Sequence, residues 1–475
     1  MNFIVFMFDT MRPDHLGCYG NDWIKTPNFD RFAREATVFE RAYAASFPTI
    51  PNRTDLFTGR YGEPLHPWVP LAARQRTLPW IMGENGYVTQ LINDTPHLIN
   101  RGTGFDSPFH AWRMIRGNEV DRYRTDCVKP ELDFDPGKMV GDMAELSYSQ
   151  YLRNTLGRRL EREHFAPKVL QAAGDWLEQN YCHKEFFLWV DSFDPHEPWD
   201  PPKHYLDLYD PGFKGGVPPN FFNDPAITPR ERKHLRARYA AMITMIDTWF
   251  GRVLERIDTL GLADNTAVIV TSDHGTGLAD HGRLSKSSPT YEEVARIVWL
   301  MKIPKLVRSK RMRALVQPPD LMPTVLDLAG VTVPDYVQGQ SLVPLLKGSK
   351  TKLRDFAITG PAPTISAPVP ITVTNSRWSL LLAPGRKELY DLKNDPGQKR
   401  NVIRSHPRVA QRLHAQMVKL LGNLDAPEWV VDAYRTGENR NGPGALPLVR
   451  ARKGKVKEKE MRRVVFTGWS GPYAK

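Results

Sequence analysis

The chain has 475 residues, of which 41% are apolar and 25% are charged, and its formal net charge is +12. This composition excludes disorder over most of the length and predicts one large folded core with a smaller appendage. The apolar runs, such as Phe3–Phe8, are far shorter than the roughly 18 residues of a membrane helix, so no membrane partner is expected. The amino terminus shows neither a basic segment nor a cleavage site, which predicts a cytoplasmic protein.

The distribution of charge and the spacing of the cysteines bear on nucleic-acid binding, disulfides and zinc sites. The segment Arg450–Arg463 holds eight basic and two acidic residues and so supplies half of the net charge. A solvated terminal run explains this pattern better than a nucleic-acid-binding arm does, so no nucleic-acid partner is predicted. The cysteines at positions 18, 127 and 182 form no C-x-x-C pair, which indicates neither a disulfide framework nor a structural zinc site.

Short apolar runs alternate with helical patterns over about the first 350 residues, which indicates an α/β fold with a mostly parallel sheet. The run Asn2–Phe8 predicts a buried strand that leads into Asp9. A capping box at Thr228 opens a long predicted helix. The run Ala267–Val270 then predicts a second buried strand, followed closely by Asp273. Because ligands bind at the carboxyl ends of strands in such sheets, these two acidic residues mark a candidate site.

The texture of the sequence changes near residue 355. A proline-rich stretch is followed by strand-like pieces at Ile371–Thr374 and Trp378–Leu382 and by a helical pattern over Pro407–Leu421. We therefore predict a large α/β domain over residues 1–354, a small α+β subdomain over 355–437 and a basic tail rich in Gly, Pro and Lys over 438–475.

Asp9, Asp273 and His274 form the first chemical candidate. Two carboxylates and one imidazole are ligands that suit a divalent cation: oxygen ligands favour Ca or Mg, whereas the histidine favours Mn or Zn. The tetrapeptide Ser272–Gly275 is weak evidence by itself, because Asp and His also cap helices and close turns. A metal site and a structural turn both remain open from these residues alone.

A second candidate is the segment Ser46–Arg60, in which a loop passes into a helix. The N–H groups and the dipole of a helix start favour an anion, and Arg53, one turn into the helix, is placed to contact two oxygens of a tetrahedral oxyanion. The segment resembles the sulfatase signature C-x-P-S-R-x-x-L-x-T-G-R, with Thr49 at the position of the nucleophile-forming Cys or Ser. The residues that match this signature are Pro51, Arg53, Leu56, Thr58, Gly59 and Arg60.

The resemblance extends in the family's order from about residue 2 to 425. It implies the alkaline-phosphatase-like sandwich fold, a large central mostly parallel sheet with a small carboxyl-terminal α+β domain, and the hydrolysis of a small anionic ester. It also implies that Asp9, Asp273 and His274 bind one divalent metal ion, and that His196 and Lys286 contact the transferred group. The further segments that carry the resemblance are Asp14–Gly20, Thr26–Asp30, Asp194–Trp199, Ser272–Gly275, Asp280–Gly282, Lys286–Glu293, Asp320–Gly330, Gly339–Leu342, Glu388–Leu392, Asp395–Pro396 and Asn401.

Three departures from the family pattern bear on the chemistry. Thr49 cannot become the formylglycine of sulfatases, because its β-carbon carries a methyl group and oxidation would give a ketone. Thr10 stands where sulfatases often have Asp or Gln, so one metal oxygen must come from Asp14, Thr49 or water. The usual G-K-W-H stretch reads Asn93–His97, which places an acid near the position of the family's lysine.

The residues nevertheless predict a working hydrolase. In the wider superfamily, phosphodiesterases and phosphoglycerol transferases resemble this site with a threonine nucleophile. A threonine ester must be displaced by water at phosphorus or sulfur, and this favours phosphate mono- or diesters over sulfate esters. The alternatives are a sulfuric ester hydrolase that works without formylglycine and a noncatalytic anion-binding protein that retains the fold.

The supporting residues each have a structural alternative. His196 is predicted to be the general acid, although it would otherwise pack under Trp199. Lys286 is predicted to neutralise charge on a nonbridging oxygen, or else to be a solvated surface lysine. For His97 and His281 a structural hydrogen bond and a role in the site are both open. The sequence leaves the leaving group and the oligomeric state undetermined, a homo-oligomer included.

Overall fold

The computed structural model describes residues 1–441 except 63–67, 73, 128–130, 139–141, 219–226, 285, 287–289, 307–309, 362–365 and 384. Most of the predicted basic tail therefore lies outside the described residues, as does the Ser287–Pro289 part of one motif. Within the described residues, every helix is too short or too polar to cross a lipid bilayer.

The strands have the following bounds: β1 Asn2–Phe8, β2 Thr37–Ala42, β3 Ser46–Phe47, β4 Val88–Asn93, β5 Ala111–Met114, β6 Phe186–Ser192, β7 Thr266–Thr271, β8 Trp299–Lys302, β9 Lys310–Val316, β10 Phe356–Pro361, β11 Ser366–Ala367, β12 Ile371–Asn375, β13 Trp378–Ala383, β14 Arg386–Asp391 and β15 Arg440–Asn441.

The α-helices have these bounds: α1 Pro27–Ala33, α2 Thr49–Thr58, α3 Leu78–Glu84, α4 Pro96–Ile99, α5 Asp142–Asn154, α6 Phe165–Asn180, α7 Lys203–Leu206, α8 Pro229–Thr259, α9 Glu292–Ala295, α10 Leu321–Ala329, α11 Val343–Leu346, α12 Pro407–Asn423 and α13 Glu428–Thr436.

Among the described residues, the larger sheet has eight strands in the order β5-β4-β6-β1-β7-β8-β2-β9. Its strands are parallel except β8, which runs antiparallel to both of its neighbours. This confirms the predicted α/β fold with a mostly parallel sheet. The second sheet has the order β14-β13-β12-β10-β3. Four of its strands come from the carboxyl-terminal part of the chain, and the fifth, β3, pairs with β10 and lies directly before α2.

Strand β1 occupies the centre of the larger sheet between β6 and β7. All seven of its side chains are buried, as a nearly continuous apolar run requires when helices cover both faces of a parallel sheet. One face packs against α6 and α8, and the other packs against α2, α3 and α10. The core therefore fixes the carboxyl end of β1, where Asp9 follows.

The predicted long helix is confirmed as α8. The Thr228 hydroxyl accepts a hydrogen bond from the Glu231 N–H, and the Glu231 carboxylate accepts one from the Thr228 N–H, which completes the capping box. Strand β7 and helix α12 extend the predicted runs at their ends by a few residues. The domain boundary at residue 355 stays a prediction, and β10 begins at Phe356.

Candidate active site

The carboxyl ends of three neighbouring strands bring acidic side chains together. Asp9 follows β1, Asp191 lies near the end of β6, and Asp273 and His274 follow β7. Because β6, β1 and β7 are parallel and adjacent, these ends meet at one edge of the sheet. All four side chains are buried.

Asp9, Asp273 and His274 offer ligand atoms that lie within 4.8 Å of one another. Both oxygens of Asp9 and Nε2 of His274 are buried and have no hydrogen-bond partner among the described residues. Nδ1 of His274 lies 2.8 Å from the carbonyl oxygen of Gly275, and since a carbonyl only accepts, Nδ1 carries the proton. Nε2 thus presents its lone pair beside two carboxylates, which fits a divalent cation.

The electrostatics of this cluster also fit a cation. Burial and the neighbouring charge of Asp273 raise the pKa of Asp9 well above its usual value. Burial lowers the pKa of His274 to about 4, so its ring is neutral at physiological pH. Two carboxylates this close in a water-poor site repel each other, and a dication would offset that repulsion.

Arg53 is completely buried among three carboxylates. Its Nε and Nη2 donate hydrogen bonds to Asp191 at 3.1 Å and 2.8 Å, and its Nη1 donates to Asp273 at 2.5 Å. Nη1 also lies 3.0 Å from a carboxylate oxygen of Asp9. The predicted contact of Arg53 with the transferred group stays a prediction, because all of these N–H groups face carboxylates in this structure.

Thr49 is the first residue of α2 and is 2% exposed. Its hydroxyl makes no hydrogen bond with another described residue. Nη1 of Arg53 donates to the backbone oxygen of Thr49 at 3.4 Å, and the same nitrogen contacts both Asp9 and Asp273. One guanidinium nitrogen therefore joins the start of α2 to the two carboxylates.

Two further contacts fix the start of α2 against the loop that follows β7. The Asn52 side chain donates a hydrogen bond to the backbone oxygen of Asp273 at 2.8 Å. The ring of Phe47 packs edge-on against the ring of His274, with centroids 4.9 Å apart. Residues on either side of Thr49 in the sequence therefore contact Asp273 and His274.

His196 and Lys286 lie together. Nδ1 of His196 is 2.7 Å from the backbone oxygen of Glu197 and so carries the proton, whereas Nε2 contacts the Lys286 ammonium. Burial and the charge of Lys286 hold the pKa of His196 well below its usual value. The ring stacks on Phe193, with centroids 4.0 Å apart, and its predicted role as general acid stays a prediction. His196 is therefore a neutral ring whose nitrogens are both engaged.

The structure also gives the positions of residues at which the sequence departs from the sulfatase pattern. Thr10 is buried in the left-handed region at φ +57°, and its N–H donates to Asp273 at 3.0 Å. Asp14 is half-exposed and binds Arg12 and His15, so it lies outside the ligand cluster and braces the first loop. Asp14 therefore does not supply the further metal oxygen, for which Thr49 and water remain the predicted sources.

Asp94, which stands near the position of the family's lysine, does not join the cluster. Its carboxylate accepts hydrogen bonds from the Phe193 N–H at 2.6 Å and from the Asn118 side chain at 2.9 Å. His97 pairs with a glutamate of a neighbouring loop, and His281 pairs with one in α9. For both histidines a role in the site stays untested.

The sequence analysis missed Asp191, although the same signal that marked Asp9 was present. Asp191 directly follows the apolar run Phe186–Val190, and an acid at the end of a buried parallel strand marks a candidate site. Glu119 and Glu197 were missed as well. They lie in irregular loops, where the sequence has no apolar periodicity that would predict their positions.

Comparison with known proteins places the chain in a family. The family model described as Sulfatase matches residues 1–331, and a model described as N-sulphoglucosamine sulphohydrolase, C-terminal, matches residues 280–424. The chain belongs to the sulfatase family of ester hydrolases, with the alkaline-phosphatase-like fold.

Two relatives and one solved structure illustrate the range. An arylsulfatase of Clostridium perfringens is 28% identical over 85% of this chain and 90% of its own length. The human iduronate 2-sulfatase is 25% identical over 75% of this chain and 74% of its own length. The crystal structure of a phosphonate monoester hydrolase of Agrobacterium radiobacter superposes with a TM-score of 0.70 at 20% identity, covering 89% of this chain and 96% of that one.

Proposed function

We propose that this protein is a metal-dependent hydrolase of small anionic esters that uses Thr49 as its nucleophile and prefers phosphate mono- or diesters. The observation that carries this proposal is that Thr49 begins α2 and that one nitrogen of Arg53 contacts its backbone oxygen as well as the carboxylates of Asp9 and Asp273.

Asp9, Asp273 and His274 would hold one divalent ion, with Ca, Mn and Zn as the candidates. When bound, the ion supplies positive charge that favours the ionised form of a neighbouring hydroxyl and offsets the charge of the ester. Arg53 keeps the carboxylates of Asp9 and Asp273 in place. The dipole at the start of α2 would favour an anion there.

The reaction is covalent catalysis without formylglycine. The Thr49 oxygen, after loss of its proton to solvent, bonds to phosphorus while the bond to the leaving oxygen breaks. The leaving oxygen keeps the electron pair and departs as an alcohol once it is protonated. Water then bonds to phosphorus while the bond to the Thr49 oxygen breaks, and a proton from the water restores the Thr49 hydroxyl. The product is phosphate from a monoester and a phosphate monoester from a diester.

Lys286 supplies the positive charge on the other side of the transferred group. Its ammonium donates to the neutral His196, which holds the lysine in position, and Glu197 lies 3.8 Å away. A cation fixed in this way can neutralise charge on a nonbridging oxygen. This arrangement makes Lys286 the charged member of the pair.

A sulfuric ester is the second candidate substrate, and the observation in its favour is the relative named arylsulfatase. The sulfuryl ester of a threonine would have to be displaced by water at sulfur, since Thr49 cannot form the aldehyde hydrate from which sulfate is expelled. The physical argument therefore ranks phosphate first.

The test is an assay of purified protein, supplied with Mn, Zn or Ca, against an aryl phosphate, a phosphodiester, a phosphonate and a sulfate ester. We expect metal-dependent turnover of the phosphate esters and its loss in Thr49→Ala. Thr54→Ala is a matched control, because Thr54 lies on the same helix and its hydroxyl donates only to the backbone oxygen of Ile50.

Three results would contradict the proposal. Turnover that persists in Thr49→Ala would remove the nucleophile, and turnover of the sulfate ester alone would reverse the substrate preference. A chain that binds inorganic phosphate but turns over no ester would be a noncatalytic anion-binding protein. We also propose that the protein is cytoplasmic and forms a homo-oligomer. Cell fractionation tests the location, and light scattering tests the oligomeric state.

A further inference from the structure

Helix α2, which begins at Thr49, also carries a buried acid, Asp55, that has no part in the proposed reaction. Its side chain is completely buried, and none of the described cationic side chains forms an ion pair with it. Burial raises the pKa of Asp55 to about 7. A buried carboxylate without a cation costs stability when it is ionised, and such costs are typical of groups that serve function.

The carboxylate of Asp55 binds residues on both sides of α2. Its Oδ2 accepts a hydrogen bond from the Ser46 N–H at 2.8 Å, and its Oδ1 accepts one from the Ser46 hydroxyl at 2.7 Å. Oδ1 also accepts the Gly62 N–H at 2.6 Å. Ser46 precedes the helix and Gly62 follows it, so one side chain joins both flanking segments to α2. We call these three residues the Asp55 clamp.

The clamp leaves no room for a side chain at position 62. A β-carbon at Gly62 would lie 2.9 Å from Oδ1 of Asp55 and 3.3 Å from the Ser46 hydroxyl oxygen. The shorter of these distances is well inside van der Waals contact, so a larger residue would push the carboxylate away. Glycine at this position therefore allows the backbone N–H to approach the carboxylate closely.

Ser46 lies close in sequence to the proposed nucleophile. It belongs to β3, which pairs with β10, and two residues separate it from Thr49. The Asn52 side chain donates hydrogen bonds to the Ser46 backbone oxygen at 3.4 Å and to the Asp273 backbone oxygen at 2.8 Å. Because the connection between Ser46 and Thr49 is so short, we expect a displacement of Ser46 to be passed on to Thr49.

We propose that Asp55 is a positioning residue for catalysis, an inference that rests on the proposed function. Its carboxylate fixes Ser46, and Ser46 fixes the backbone that leads into Thr49, so that the Thr49 oxygen is held in the geometry that attack on phosphorus requires. A displacement of about 1 Å at a reacting group can slow a reaction about 100-fold. Asp55 acts through Ser46, since its hydrogen bonds among the described residues are made with Ser46 and Gly62.

The test is Asp55→Asn, assayed with p-nitrophenyl phosphate and Mn²⁺. An amide keeps the size of the side chain but presents an N–H group where the carboxylate accepted hydrogen bonds, so at least one donor of the clamp loses its acceptor. We expect kcat to fall about 10- to 100-fold. KM and the affinities for inorganic phosphate and Mn²⁺ should each change less than about threefold, because a displaced nucleophile affects the reaction and not binding.

Asp247→Asn is the matched control, because Asp247 is another buried acid that accepts hydrogen bonds from backbone N–H groups. It binds the N–H groups of Asn28 and Phe29 in α1 at 3.0 Å and 2.8 Å, and burial raises its pKa to about 6. We expect Asp247→Asn to lower the melting temperature and to leave kcat unchanged. This control measures what the loss of a buried carboxylate does to the fold alone.

Two further variants change the clamp without changing Asp55. Ser46→Ala removes the hydroxyl that donates to Asp55 and should lower kcat about threefold. Gly62→Ala places a carbon against Oδ1 and should lower kcat more than it raises KM. The double variant Ser46→Ala/Asp55→Asn should be no slower than Asp55→Asn, since both changes break the same contact. If Asp55→Asn does not fold, an unchanged kcat in both Ser46→Ala and Gly62→Ala overturns the proposal.

The remaining outcomes separate this proposal from the proposed function. If Thr49→Ala is inactive, a kcat that falls no further in Asp55→Asn than in Asp247→Asn overturns the positioning role and leaves the Thr49 proposal standing. Losses that multiply in the double variant, or a loss of Mn²⁺ affinity as large as the loss of kcat, overturn the positioning role as well. Turnover that persists in Thr49→Ala, or no turnover by the unaltered chain with Mn, Zn or Ca, overturns the proposed function and the positioning role together.

Discussion

The two oxygens of Asp191 accept hydrogen bonds from one edge of the Arg53 guanidinium, at 3.1 Å and 2.8 Å. Asp191 also accepts hydrogen bonds from the Thr95 hydroxyl and the Trp189 indole. Four donors therefore satisfy the hydrogen-bonding capacity of this fully buried carboxylate. It fixes the guanidinium so that Nη1 points at the two carboxylates of the metal-ligand cluster.

We expect Asp191→Asn to destabilise the protein by about 3 kcal/mol, because it removes one partner from a buried ion pair. Denaturant unfolding measures this loss. Asp207→Asn breaks an exposed pair with Lys203 and should cost less than about 1 kcal/mol. Equal losses in the two variants would contradict the role given to Asp191.

Metal binding should invert the effect of Asp9→Asn on stability. Without a cation, burial and the charge of Asp273 disfavour the ionised form of Asp9 more than Arg53, 3.0 Å away, favours it. Removal of the charge should therefore raise the melting temperature measured in EDTA. With Mn²⁺ at about 100 times its dissociation constant, the unaltered chain should gain about 2.7 kcal/mol, and Asp9→Asn should gain little. Calorimetric titration measures the binding directly.

The control for this prediction is Asp14→Asn, which changes a carboxylate of the same loop that lies outside the cluster. It should retain the metal-induced rise in melting temperature. If Asp9→Asn gained as much stability from Mn²⁺ as the unaltered chain does, the ligand assignment would be wrong.

The pairing of His281 with Glu293 predicts a dependence of stability on pH. Nδ1 of His281 lies 2.6 Å from Glu293, and Nε2 lies 3.2 Å from the backbone oxygen of Gln398. Burial alone would lower the pKa of His281, but the hydrogen bond and the charge of Glu293 outweigh it and raise the pKa above the usual 6.5. A raised pKa means that the folded protein holds this proton more tightly than the unfolded chain.

The stabilisation by His281 should therefore be complete below about pH 6.5 and should disappear as the pH rises through the higher folded-state pKa. His281→Gln cannot be protonated, so the stability difference between it and the unaltered chain should shrink between pH 6 and pH 9. Chemical unfolding across that interval measures the difference. A constant difference would mean that His281 contributes only packing against Tyr291, with which it stacks at 3.8 Å.

The sequence predicts the framework of the site better than its contacts. Asp9 and Asp273 are predictable because each follows a buried apolar run, and Thr49 is predictable from its place in a signature. The surroundings of Arg53 are not predictable in this way. Three carboxylates from the ends of separate strands lie beside it, and only the sheet order brings those together.

The state of His196 shows the same limit. Its neutral ring depends on Lys286, which lies 90 residues further along the chain, and on a backbone oxygen in its own loop. Such proton placement follows from contacts between loops, which apolar periodicity does not encode. The Asp94 network could not be predicted for the same reason, since its members come from three different loops.

The strained backbone of Thr10, next to the ligand candidate Asp9, predicts a change in stability on substitution. A β-branched residue at φ +57° is strained, and its buried hydroxyl has no hydrogen-bond partner among the described residues. Thr10→Gly removes both penalties while keeping the N–H that binds Asp273, so we expect unfolding to require about 1 kcal/mol more. Thr10→Ala keeps part of the backbone strain and should gain less. Denaturant unfolding in EDTA measures both, and a loss of stability in Thr10→Gly would show that the hydroxyl contributes to the fold.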